Sequence, residues 1–449
     1  MKLWDKGLPT ESLIEQFTVG EDRRWDLLLA PWDLAGSLAH TAMLAEVGLL
    51  GRAEAEALRR ELLAIARELA EGRFAIGPEV EDVHSQVELM LTQRLGEAGK
   101  KVHSGRSRND QVLTDLRLYY MHEIGEVYAL AEGLFLTLQA QSERLREVLM
   151  PGYTHFQVAM PSSFGLWLGA YAESLADDLL LLGAAWQACD QNPLGSAAGY
   201  GSSFPLDREM TARLLGFRTL SYNAIYAQMG RGRSEKALAA ALAGIAGTLN
   251  KLAADLTFFM CQNLGFLSLP DSLTTGSSIM PHKKNPDVFE LIRGHSNRIQ
   301  ALPGTVQLLC ANLPSGYHRD FQLLKEAVFP AIAALKDCLR LADFALERIE
   351  AREAILDDPR YEYVFSVEEV NRRVLGGQPF RDAYREVGLD IQEGRFQPER
   401  NVHHTHLGSI GNLASAQIRQ KWEENSRAFR FEAFRAAIRA LSEGLLPLS

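Results

Sequence analysis

The sequence has only four cysteines, Cys189, Cys261, Cys310 and Cys338, and no two lie close in sequence. That excludes a cysteine-rich disulfide framework or zinc cluster and predicts reduced thiols packed among helices in a cytoplasmic protein. No run of about 18 apolar residues occurs, so no membrane-spanning helix is expected. The first residues, MKLWDKGLPTES, lack the apolar core of a signal peptide. Positive charge is in deficit: 47 Lys and Arg face 57 Asp and Glu, a net charge of −10. Bulk attraction to nucleic acid or to an anionic membrane is therefore not expected, although a basic pocket can exist inside an acidic envelope. Alternating strand pattern, internal repeats and low-complexity tracts are missing as well.

Proline is absent from 79 to 150 and again from 206 to 269. Both windows are long enough for extended helices. In the first, Leu113, Leu116, Tyr120, Ile124, Val127, Ala131, Leu134 and Leu138 follow three-and-four spacing, with Leu145 and Val148 continuing the seam. A helix from Asn109 to Val148 spans roughly 60 Å. The second window repeats the pattern through Leu238, Leu242, Ile245, Leu249, Leu252, Leu256 and Phe259, with Ala and Gly between them. A third seam runs through Leu324, Val328, Ile332, Leu335, Leu339, Ala342 and Ile349. Helices are also expected over Asp33–Leu50 and Arg52–Glu71. Helices this long need partners of equal length, which self-association supplies. The expected fold is all-α, in three helical domains: 1–105, a central long-helix bundle over 106–356, and 357–449. The chain of 449 residues is too long for one compact core.

Four polar islands interrupt these helices: EDVHSQVE (81–88), GKKVHSGRSRNDQV (99–112), PGYTHFQVAMPSS (151–163) and TTGSSIMPHKKNPD (274–287). Arg106, Arg108 and Asn109 precede the longest helix, where unpaired N–H groups and the macrodipole favour an anion. The fourth island combines Gly276 with hydroxyls and the cations Lys283 and Lys284. Each island alone also fits an ordinary role. Arg106 and Arg108 suit acidic neighbours, His155 suits a satisfied loop histidine, Glu290 and Arg293 suit a pair one helical turn apart, and Lys283 suits solvent. Islands one helix length apart cannot meet within a single extended helix pair, but antiparallel neighbouring subunits bring opposite ends together. The conjunction is what a solvated surface leaves unexplained.

GRSRNDQV, PGYTHFQ and GSSIMPHKKNPDVFELIRG resemble the signature segments of the argininosuccinate lyase family, in the fumarase/aspartase superfamily. The resemblance extends from KLW near the start through LPSGYHRDFQLLKE (313–326) and more weakly into GGQPFRDAYREVG (376–388). It implies an all-helical homotetramer whose active sites are shared between subunits. The implied reaction is β-elimination of argininosuccinate to arginine and fumarate, in arginine biosynthesis, without metal or organic cofactor. By the same resemblance Ser277 is the base that takes the carbon-bound proton, with Lys283 and the loop's own N–H groups steadying its alkoxide. His155, oriented by Glu290, is the second catalytic group. Lys283 and Asn285 hold the fumarate-side carboxylates, with Ser107, Arg108, Asn109 and Thr154. Tyr317, Gln322, Lys325 and Asp26 hold the arginine side.

The chain departs from the family pattern at three places. His282 stands where the family has Gln. YAQMGRGR (226–233) replaces the family's DxxSxRDF and keeps Arg231 at the arginine position. TVGED (18–22) replaces a segment carrying a substrate-binding serine. The alternatives are another fumarate-releasing lyase and a crystallin-like structural protein; the retained Ser277, His155, Lys283 and Glu290 argue against the latter. HHTH (403–406) raises a metal site, but three histidines on one loop without a cysteine cluster favour an ordinary surface.

Overall fold

The computed structural model describes residues 12–446. The KLW match and the first eleven residues of the stretch read as lacking a signal peptide lie outside these. Eight helices position everything that follows: α1 (Asp22–Glu46), α2 (Arg52–Ala70), α3 (Val83–Leu95), α4 (Arg108–Arg144), α5 (Phe164–Cys189), α6 (Arg233–Phe259), α7 (Asp287–Gln300) and α8 (Leu323–Leu346). About 65% of the structure is helical, and its strands are short, so the fold is all-α.

The seams predict the packing. Every member of the first seam up to Leu138 is buried, as is every member of the α6 seam. Full burial contributes roughly 1.5–3 kcal/mol for each large aliphatic side chain, far more than local helix propensity. Helix α5 packs between α4 and α6, α7 lies along α6, and α8 packs on α4. The third seam is buried through Ala342, and Ile349 is buried just past the end of α8. Residues 224–259 are long and apolar enough to cross a membrane by length and composition, but here they supply the buried seam of α6.

Helix α4 starts one residue earlier than expected and ends sooner. Its start is fixed by a capping box: Asn109 N–H donates to Ser107 Oγ at 3.3 Å, and Ser107 N–H donates to Asp110 Oδ1 at 2.8 Å. Leu145 and Val148 do not extend it. The chain turns instead into an antiparallel hairpin, β1 (Leu149–Thr154) and β2 (Gln157–Ser163), one of three two-stranded sheets among the described residues. Thr154 pairs with Gln157, so the loop is only His155 and Phe156, and both carry positive φ, 54° and 56°. That is the sense of a type I′ turn, whose twist matches the strands.

Helix α1 begins well before Asp33 and carries Pro31 inside it. One large apolar core runs from Leu29 to Leu446, including the helices Ser415–Ser426 and Phe431–Ser442. Val370, Ala383, Val387 and Phe396 form a small separate core.

Candidate active site

Asp26, Arg108, Asn109, Arg231, Tyr317, Gln322 and Lys325 line one cavity of about 250 Å³. Ser107 lies beside it as the N-cap of α4. The cavity also takes in Asp22, Glu81, Asp82, His84 and Arg319, which sequence reasoning had not assigned to a site. The signal for three of these was present, since Glu81, Asp82 and His84 belong to the first polar island. Asp22 and Arg319 had none beyond their neighbours.

Charges alternate around the wall. Arg108 Nη1 lies 3.1 Å from Asp82 Oδ2 and 3.4 Å from Glu81 Oε2. Arg319 reaches Glu81 Oε1 at 2.7 Å and donates to the Thr18 carbonyl at 2.9 Å. Gln322 Nε2 donates to the carbonyls of Val19 at 3.0 Å and Thr18 at 3.2 Å. The TVGED segment therefore meets this wall through the Thr18 and Val19 carbonyls and through the Asp22 side chain. Arg231 Nη2 donates to the Phe321 carbonyl at 2.9 Å.

Lys325 is buried between two carboxylates. Its Nζ lies 2.6 Å from Asp26 Oδ1 and also bonds Asp22. Asp26 Oδ2 accepts the Val83 N–H at 3.2 Å. Burial disfavours the ammonium, but Asp26 and Asp22 outweigh it and raise the Lys325 pKa. Asp22 is pushed up to about 6, chiefly by burial; Lys325 pulls it back and the Asp26 charge adds to the rise.

Behind the cavity, His84 Nδ1 lies 2.8 Å from Asp33 Oδ1 and 3.5 Å from Asp115 Oδ2. Burial opposes its charge, yet these carboxylates raise its pKa to about 10. These three residues are the set among the described residues whose ligand atoms converge closely enough for a metal ion. The two carboxylates favour the protonated imidazole, and a metal would have to displace that proton. In HHTH, His404 Nε2 lies 3.0 Å from Glu368 Oε1, and the His404 and His406 ring centres are 6.0 Å apart.

The other candidates stand elsewhere. Thr154 and His155 are exposed at the hairpin tip. Ser277, Lys283, Asn285 and Glu290 lie on the loop before α7 and in its first turn. Thr275 and Asn285 pair across the base of that loop, with N–H to O distances of 2.8 and 3.2 Å. Ser277 Oγ accepts the N–H of Met280 at 3.2 Å and of Ile279 at 3.4 Å. Lys284 bonds Asp271. Glu290 does not pair with Arg293, whose guanidinium donates to Thr257 Oγ1 at 3.2 Å. Gly276 lacks a positive φ, and a Cβ there would meet nothing within 4 Å. Nothing in this conformation requires glycine at that position.

Geometry separates the two groups. Arg108 opens α4 and the hairpin follows its end, 37 residues or about 55 Å away. Arg231 precedes α6, whereas the hairpin packs at the far end of that helix, with the Phe156 and Phe258 rings 5.5 Å apart. Helix α7 runs back along α6 from the same far end: Arg293 bonds Thr257, and Asn250 donates to Asn297 Oδ1 at 2.9 Å. The cavity thus lies at one end of the bundle, and the serine loop and the hairpin tip lie at the other.

Residues 5–301 match the family described as Lyase, which makes the chain a lyase by family. The argininosuccinate lyase of Parabacteroides distasonis is 57% identical over 99% of this chain and 99% of its own. That of Phocaeicola vulgatus is 57% identical over 98% of this chain and 99% of its own. The chain belongs to the argininosuccinate lyase family of the fumarase/aspartase superfamily. Its fold is similar to that of EDDS lyase solved with formate, with a TM-score of 0.75 at 20% identity over 98% of this chain and 96% of that one.

Proposed function

We propose that this chain splits argininosuccinate into arginine and fumarate by β-elimination, the activity for which its 57% identical relatives are named. The structural observation that carries the reading is the mixed-charge cavity. The arginine half of the substrate bears an amino group, a carboxylate and a guanidinium, and so needs both signs of partner close together. Asp22, Asp26, Lys325, Arg231, Tyr317 and Gln322 offer that combination at one end of the bundle.

The chemistry falls to the other end. Elimination removes a proton from carbon beside a carboxylate, and the resulting dianion must be met by fixed donors. Ser277 is the base. The Ile279 and Met280 N–H groups aimed at its Oγ are suited to steady an alkoxide. Lys283 adds charge and, with Asn285, takes the fumarate-side carboxylates, joined by Ser107, Arg108, Asn109 and Thr154. As the C–N bond breaks, the departing guanidinium nitrogen gains a proton from the His155–Glu290 pair, directly or through water. The protein works as a cytoplasmic homotetramer, divided as 1–105, 106–356 and 357–449. The separation of cavity and serine loop supports a site completed by antiparallel copies.

The direct test is purified protein with argininosuccinate, followed by the ultraviolet absorbance of fumarate. Adenylosuccinate, aspartate and malate serve as alternative substrates. Turnover of one of these in place of argininosuccinate would assign a different lyase, and no turnover of any would favour the structural role.

Shared sites have a measurable signature. Arg108→Gln and Ser277→Ala are each expected to be nearly inactive. Unfolded together in equal amounts and reassembled, they should recover up to about a quarter of wild-type activity, because each of two independent donors is intact about half the time. Mass-tagged chains confirm the mixing. Mixed tetramers no more active than the parents would mean that both residues act within one chain.

Asp22 predicts a pH dependence. With its pKa near 6, its carboxylate is charged above that pH and lost as pH falls through it. KM should therefore rise about tenfold from pH 7 to pH 5, one decade per unit below the pKa. Asp22→Asn should raise KM at pH 7 and remove the inflection. A profile identical to that of the wild type would remove Asp22 from substrate binding.

A further inference from the structure

A second cavity, of about 460 Å³, shares Arg231 with the first. It differs sharply in charge: Arg231, Arg233 and Lys236 line it, and no carboxylate does. In a chain of net charge −10, such a wall is not expected from composition. The acid between Arg233 and Lys236 in sequence is already committed. Glu235 accepts the Gly232 N–H at 2.9 Å and lies 3.5 Å from Arg231 Nε.

Arg231 is 6% exposed, and its buried Nε has no hydrogen-bond acceptor among the described residues. Arg233 and Lys236 form no ion pair among those residues; the Arg233 guanidinium instead sits 5.7 Å from the centre of the Tyr226 ring. All three cations stand at the start of α6, a 27-residue helix whose macrodipole adds to their field, although its Gly232 and Arg233 N–H groups are already taken by Glu235 and the Gly230 carbonyl. The helix start is pressed against the cavity wall. Gly232 has φ of 81°, and a Cβ there would lie 2.5 Å from Cys310 Sγ. Only glycine permits that approach.

We propose that this cavity is a second binding site, separate from the mixed-charge cavity, for a small dianion, either a dicarboxylate or inorganic phosphate, held by Arg231, Arg233 and Lys236 at the N-terminus of α6. Both ligands present two negative charges and several acceptor oxygens, which guanidinium and ammonium groups match. The first cavity differs in carrying Asp22, Asp26, Glu81 and Asp82 among its cations, whereas no carboxylate lines the second.

The test is direct binding to the full-length protein by isothermal titration calorimetry, with inorganic phosphate and succinate in separate runs. Saturable binding of about one ion per chain is expected, weakening by roughly tenfold or more in the double variant Arg233→Gln/Lys236→Gln because two close charges are lost. Turnover of argininosuccinate by that variant should be unchanged. The relative affinity of the two ions tells which source the site prefers. A second readout uses the unaltered protein: phosphate or succinate should slow the alkylation of Cys310 by N-ethylmaleimide, followed by peptide mass, with exposed Cys261 as the internal control. The proposal is overturned if neither ion binds up to about 10 mM, a Kd too weak to fill a built site. It is equally overturned if binding persists unweakened in the double variant, which would put the ion in the first cavity or at the serine loop, whether or not arginine displaces it. Binding is read without turnover, so failure here leaves the lyase reading intact.

Discussion

Ser277→Ala is expected to lower kcat by at least about a thousandfold, the scale on which a positioned proton acceptor acts. Stability should stay within about 0.5 kcal/mol, because the side chain lies on a half-exposed loop and fills no core volume. Its Oγ accepts two loop N–H groups, so the variant frees donors that can turn to water. Fumarate release and the oligomeric state should be measured on the same preparation. Ser278→Ala is the control and should be far milder. Near-normal turnover by Ser277→Ala would remove the serine from the chemistry and return the search to Lys283 and His155.

Lys325→Met should produce the largest change in stability. The ammonium is 3% exposed and Asp26 2% exposed, and removing the cation leaves Asp26 facing Asp22, with the Val83 N–H as its remaining hydrogen-bond partner among the described residues. Breaking such a pair costs about 3–5 kcal/mol, whereas replacing both members costs much less. Lys325→Met/Asp26→Asn should therefore regain part of the loss. The denaturant midpoint at constant slope is the measure. A loss below about 1 kcal/mol in Lys325→Met would mean that water reaches Asp26 and that the cavity is wetter than its burial implies.

The long helices were legible because burial writes itself into spacing. Every residue of the α6 seam read from the sequence is buried. Helix α1 was cut short because Pro31 is an interior proline, which local rules treat as a break. The hairpin after α4 was missed for a different reason. Its tip is His155–Phe156, not the Asn-Gly or Asp-Gly that announces such turns, so tertiary context sets a backbone that composition does not suggest. The cavity was half visible. Residues within a motif, such as Arg108 and Asn109, were found. Asp22 and Arg319 were not, although they lie in the quoted stretches TVGED and LPSGYHRDFQLLKE, because their charge gains meaning only when α1 and the segment before α8 are brought face to face.

The hairpin tip has a further consequence. Two adjacent non-glycine residues in the left-handed region cost about 1–2 kcal/mol each. The paired strands hold them there, so the imidazole of His155 is carried on a stiff pointer that cannot swing to find its target. The serine loop is built the opposite way, with a glycine that its present shape does not use. Under the roles proposed for Ser277 and His155, bringing the two together is a one-sided adjustment, in which the serine loop moves and the paired strands hold its counterpart still.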